Sequence, residues 1–117
     1  MTETFDIAGY CRISVDDELD QKNISIENQK AILSDYVKTH FPDSSLTFFE
    51  DRDRSGYTFS QREGYQAMRR GLMSHKYDIL LIKDFSRFSR RNSRGLVELE
   101  DLRDAGVRIV SIGDGAD

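Results

Sequence analysis

Four short apolar runs, separated by three longer segments in which apolar residues recur at helical spacing, leave this chain few folds to choose from. Phe5 to Ile13, Leu46 to Phe49, Ile79 to Ile82 and Val107 to Ile112 read as strands, and the unbroken ILLI of the third suits a sheet covered on both faces. The first helix opens at Ser25, whose hydroxyl can cap it, and carries Ile26, Leu33, Tyr36 and Val37 on one stripe. A capping box, Ser60 with Glu63, starts a second helix bearing Tyr65, Met68 and Leu72. Asn92 or Ser93 caps a third, with Leu96, Leu99 and Leu102 facing inward and Gly106 ending it. The order β-α-β-α-β-α-β, with a crossover between each pair of strands, predicts an α/β fold. Its sheet is mainly parallel, of four to five strands, with helices on both faces.

The 117 residues make one domain without an internal linker. No apolar run approaches the ~18 residues of a membrane span, and the N-terminus lacks the basic-then-apolar pattern of a secretory signal, so a cytoplasmic location without a membrane partner is expected. The single Cys11 and the distant His40 and His75 offer neither a disulfide nor a metal-ligand cluster, so the expected chemistry uses no metal and no cofactor. Cys11 itself reads as inert strand packing. The net charge of -4 is unevenly spread: five basic residues stand against one Asp in Lys83 to Arg94, leaving +4 there and -8 elsewhere.

In sheets of this kind ligands bind beyond the carboxyl ends of the strands. At that edge the period of two puts Tyr10, Arg12 and Ser14 on one face of the first strand. The polar turn after the second strand contains Gly56 and delivers Arg62 to the start of the second helix, where a cation opposes the helix dipole. After the third strand come Arg87 and Arg90, three apart and on one face if the chain is helical. Gln29 falls on the inward stripe of the first helix, where it is either a satisfied buried amide or a site residue. Arg12 has a plain alternative as a surface partner of Asp16 or Asp17, within an acidic stretch that reads as a solvated loop.

A serine surrounded by arginines, with no histidine base on these loops, disfavours acyl transfer. It favours phosphoryl transfer, because planar guanidinium groups match the equatorial oxygens on which charge develops. A phosphate-binding or receiver-like signalling module is the main alternative. A receiver wants paired acids at the end of the first strand, which here ends in Arg12 and Ser14. A two-metal nuclease wants converging carboxylates.

Taken together these residues resemble the catalytic domain of the serine recombinases, the family of resolvases, invertases and large serine integrases and transposases. The motif Tyr-x-Arg-x-Ser with a downstream Gln appears as Tyr10, Arg12, Ser14 and Gln29; the Ser-Gly turn and later Arg as Ser55, Gly56 and Arg62; the Arg-x-x-Arg as Arg87 and Arg90; the late Asp-Gly turn as Asp114 and Gly115. The resemblance implies that Ser14 attacks a phosphate of double-stranded DNA to form a 5'-phosphoserine link. Arg12, Arg62, Arg87 and Arg90 then cradle the phosphate and Gln29 assists. It also implies dimers and a synaptic tetramer in the full-length protein.

Two departures stand out. Small resolvases carry Asp just before the first arginine of the Arg-x-x-Arg motif, where this chain has Ser86, with Asp84 nearby but out of register. The longer spacer between Ser14 and Gln29 is similar to that of the large subgroup on mobile elements. The resemblance further implies that residues 1–117 are the N-terminal catalytic domain, with the dimerising helix and DNA-binding regions outside it. Such a domain alone is expected to be monomeric or weakly associating.

Overall fold

The computed structural model describes residues 4–14, 25–53, 62–84, 93–113 and 115, with backbone only for Ser14, Asp53 and 93–96. Among the described residues, seven elements alternate: β1 (Asp6–Ser14), α1 (Ile26–His40), β2 (Ser45–Asp53), α2 (Glu63–Met73), β3 (Ile79–Ile82), α3 (Ser93–Asp104) and β4 (Arg108–Ser111). The strands form a four-stranded parallel sheet in the order β2-β1-β3-β4, the α/β architecture that the pattern of runs predicts. No helix among the described residues is long and apolar enough to cross a membrane.

Alternation along the strands divides the core into two layers. Ile7, Cys11 and Ile13 of β1, with Ile79, Leu81 and Val110, pack against Ile26, Leu33 and Val37 of α1. Ala8 and Tyr10, with Leu80, Ile82 and Ile109, pack against Tyr65, Met68 and Leu72 of α2 and Leu99 and Leu102 of α3. Of the described helices, one therefore covers one face and two cover the other. The chain leaves β1 toward β2 on one side and returns past it to β3 on the other, so the switch in strand order lies between β1 and β3. The carboxyl ends of these two strands border the crevice where such sheets bind ligands.

Helix ends differ in how far their signals lie from the helix. Ser25 caps α1 as expected, its Oγ accepting from the Asn28 N–H at 3.2 Å. Gly106, at φ 94°, ends α3, and the N–H of Val107 returns to the Leu102 carbonyl at 3.0 Å. At α2 the helix starts at Glu63 and its N-cap is Arg62, without a side-chain cap bond, while Ser60 of the expected capping box lies outside the described residues. The cap comes from β2 instead. Oδ1 of Asp51 accepts from the Gly64 N–H at 2.9 Å and Oδ2 from the Tyr65 N–H at 2.8 Å. Gly64 is what permits this approach, since a Cβ there would lie 2.3 Å from the Glu50 carbonyl oxygen.

The second strand also runs further than LTFF suggests. It pairs with β1 along nine residues, from Asp6 with Ser45 to Ser14 with Asp53. Its charged continuation lies on a strand at the edge of the described sheet, where Glu50 and Arg52 are exposed and leave no apolar signature.

Candidate active site

β1 outruns its neighbour on one side. Its pairing with β3 ends at Tyr10 opposite Ile82, whereas its pairing with β2 continues to Ser14. At Arg12, past the end of β3, Gln29 of α1 supplies the missing partner. The Arg12 N–H donates to Gln29 Oε1 at 3.2 Å, and Gln29 Nε2 donates to the Arg12 carbonyl at 3.0 Å. Gln29 is fully buried, so this two-point bond holds in a water-poor setting and fixes the β1 backbone two residues before Ser14. Both alternatives for Gln29 thus meet in one side chain: it is a satisfied buried amide, and it is satisfied by the strand that carries the candidate nucleophile.

Arg12 and Arg62 are both buried, at 5% and 7% exposure, which is unusual for guanidinium groups and excludes a purely surface pairing of Arg12. They come from different elements, β1 and the N-cap of α2, yet act on a common neighbour. The Tyr10 hydroxyl donates to Asp51 Oδ2 at 2.8 Å. Burial and the Asp51 charge hold this phenol far above its ordinary range, while the positive fields of Arg62 and Arg12 oppose them. Both guanidinium groups therefore lie within electrostatic reach of one hydroxyl at the carboxyl edge of β1. Asp51 is the Cα partner of Arg12 in the β1–β2 register.

Asp51 was not legible as a site residue, although a carboxylate between charged neighbours at a strand end is a detectable signal. Its two oxygens receive one hydroxyl and two helix amides, so it is committed to structure. Glu98 of α3 is the other acid that the sequence pattern passes over. It is 7% exposed, and its Oε2 accepts from the Tyr65 hydroxyl at 2.8 Å and from Arg69 Nε at 3.1 Å. Beside β3, Lys83 Nζ pairs with Asp84 Oδ2 at 3.0 Å, and the Lys83 carbonyl accepts from Gly113 N–H at 2.6 Å, joining the ends of β3 and β4.

The structure thus joins Gln29 to Arg12 near the end of β1 and places the buried Arg62 at the N-cap of α2, the helix start held by Asp51 of β2. The Ser14 backbone closes β1, while its side chain lies outside the description. Ser55, Gly56, Ser86, Arg87, Arg90 and Asp114 lie outside the described residues, as does the acidic stretch Asp16 to Asp20. Cys11, on the opposite face, is buried, and desolvation pushes its thiol up to about 12. That thiol is inert packing, as expected.

Residues 7–117 match the family model for the resolvase N-terminal domain. The chain belongs to this family. Among solved structures, the N-terminal catalytic domain of TP901-1 integrase is similar at a TM-score of 0.77 and 20% identity, over 94% of this chain and 78% of that one. A resolvase family site-specific recombinase from Streptococcus pneumoniae superposes at 0.75 with 25% identity, covering 97% of this chain and 76% of its own. A serine recombinase from Sulfolobus solfataricus gives 0.68 and 20% identity, over 92% and 67%. No curated protein matches. As a resolvase-family serine recombinase, the protein is an enzyme of site-specific recombination that acts on DNA.

Proposed function

We propose that this resolvase domain cuts and rejoins DNA through a covalent serine link. The Ser14 Oγ attacks a backbone phosphorus, a phosphorus–O bond to Ser14 forms, and the bond to the 3' oxygen breaks. The serine proton is released and the departing 3' oxygen takes one up, so the product is a 5'-phosphoserine and a 3'-hydroxyl. Reversal on a new 3'-hydroxyl rejoins the strands with no outside energy source. The observation that supports this reading is that β1 carries the buried Arg12 two residues before it ends at Ser14, with the buried Arg62 at the N-cap of α2. Planar guanidinium groups in a desolvated setting bind phosphate oxygens in two-point fashion and stabilise their growing charge. Arg87 and Arg90 complete the cradle, and Gln29 positions the strand.

Rejoining ends from two duplexes requires four cut strands held at once, each by its own serine. That stoichiometry calls for a tetramer of full-length subunits, assembled from dimers. No step is assigned to a metal. The test is to mix full-length protein with supercoiled plasmid bearing the ends of its element, stop the reaction with denaturant, digest, and identify the DNA-linked peptide by mass spectrometry. A phosphate on Ser14, made equally in chelator and absent from Ser14→Ala, is expected. A link on another residue, or cleavage by Ser14→Ala, overturns the proposal.

A further inference from the structure

The buried acid Glu98 has no part in the reaction above, yet it stands at a junction between the two elements that follow the arginine-bearing segments. Its carboxylate accepts from the Tyr65 hydroxyl at 2.8 Å and from Arg69 Nε at 3.1 Å, both on α2. Tyr65 is three residues beyond Arg62, and its own N–H donates to Asp51 at 2.8 Å. Asp51 in turn receives the Tyr10 hydroxyl, and the Tyr10 and Tyr65 rings meet edge to face with centroids 5.8 Å apart. An unbroken polar path thus runs from α3 through α2 and β2 to β1. At its α3 end, the helix begins at Ser93, three residues past Arg90.

A buried carboxylate is costly unless it is paired and fully hydrogen-bonded, so an apolar residue would cover this helix contact more simply. What a carboxylate adds is direction: two short bonds fix the azimuth of α3 against α2, which a Leu contact leaves free to slide. We infer that Glu98 is a positioning residue, which locks α3 to α2 and so, through Tyr65 and Asp51, holds the start of α2 with Arg62 against β1. This rests on the proposed role of Arg62 around a phosphate.

The test uses the full-length protein with Glu98→Gln, Glu98→Leu and Tyr65→Phe. Single-turnover formation of the covalent product is measured at saturating DNA, alongside the DNA dissociation constant and amide exchange at Gly64 and Tyr65. Glu98→Leu should form covalent product about tenfold more slowly with an unchanged dissociation constant, because small misplacements of reacting groups are amplified in rate. Its exchange at Gly64 and Tyr65 should quicken. Glu98→Gln, whose Oε1 can accept both bonds, should recover most of the rate. Should Glu98→Leu fail to fold, Tyr65→Phe carries the same expectation, since it keeps the ring and the bond to Asp51. Product formation at the wild-type rate in the folded variant overturns the positioning role alone. Absence of any Ser14 link in the wild type overturns the reaction on which it rests.

Discussion

The side-chain amide of Gln29 pairs with both backbone polar groups of Arg12, accepting at 3.2 Å and donating at 3.0 Å, and so stands in for a strand beyond the end of β3. A residue seventeen positions downstream, on a helix, completes the sheet where the candidate nucleophile emerges.

Replacing Gln29 by Met keeps the volume and removes both bonds. Two buried backbone groups are then left unsatisfied, at about 1 to 3 kcal/mol each. Urea denaturation should show a loss of roughly 2 to 6 kcal/mol. Gln29→Glu should be worse than Met near neutral pH, because it buries an ionised carboxylate oxygen against the Arg12 carbonyl oxygen. A Met variant as stable as the wild type would show that this pairing contributes nothing.

Asp51→Ala removes the cap of α2 and the acceptor of the buried Tyr10 hydroxyl together. Cap loss costs about 0.5 to 2 kcal/mol and an orphaned hydroxyl about 1 to 3. The double variant with Tyr10→Phe should therefore lose less than the sum of the two single losses, as a thermodynamic cycle by chemical denaturation would reveal. Additive losses would mean that the 2.8 Å contact carries no coupling.

At Gly64 even a methyl group has no room, since it would sit 2.3 Å from the Glu50 carbonyl oxygen. Gly64→Ala must push α2 away from β2, lengthening the bonds to Asp51, with an expected cost of about 1 to 3 kcal/mol. Helix propensity alone favours Ala by ~1 kcal/mol, so a stabilised variant would show that β2 and α2 are further apart.

Arg62→Lys keeps the charge and discards the planar fork. Covalent product formation should fall by about tenfold or more, if two-point contact with a phosphate is what the site requires. Equal rates for Lys and Arg would reduce the requirement to charge. Ser86→Ala, by contrast, should lose little; a defect as deep as that of Ser14→Ala would assign Ser86 the work of the family's usual Asp.

Alkaline pH should unfold the domain through its buried acids. The Cys11 thiol is raised from 9.0 to about 12 in the folded protein. Above pH 9 the unfolded chain therefore releases a proton that the folded one retains, and stability falls by about 1.4 kcal/mol per pH unit until the folded group titrates. Tyr10 and Tyr65, both raised by burial, add to the slope above pH 10. Cys11→Ala should flatten the profile between pH 9 and 10, measured as the midpoint of urea unfolding. An unchanged slope would mean that the thiol ionises as readily in the folded protein.

Element order, the boundaries of β3, the cap of α1 and the stop of α3 could be read from the chain because their causes are local. ILLI must be buried wherever it goes, Ser25 reaches an amide three residues on, and Gly106 relieves a backbone angle at its own position. The grouping of Tyr10 and Arg12 on one face followed likewise from the period of a strand. The rest depended on contacts between residues far apart in sequence. The cap of α2 comes from Asp51, whose carboxylate also binds Tyr10 across a separation of 41 residues, and Glu98 reaches Tyr65 across 33. A polar side chain in a helix or at a strand end carries no periodic signal. Whether it faces water or completes a buried bond is decided only when the sheet order brings a partner within 3 Å, and here that partner was supplied by a neighbouring strand or helix.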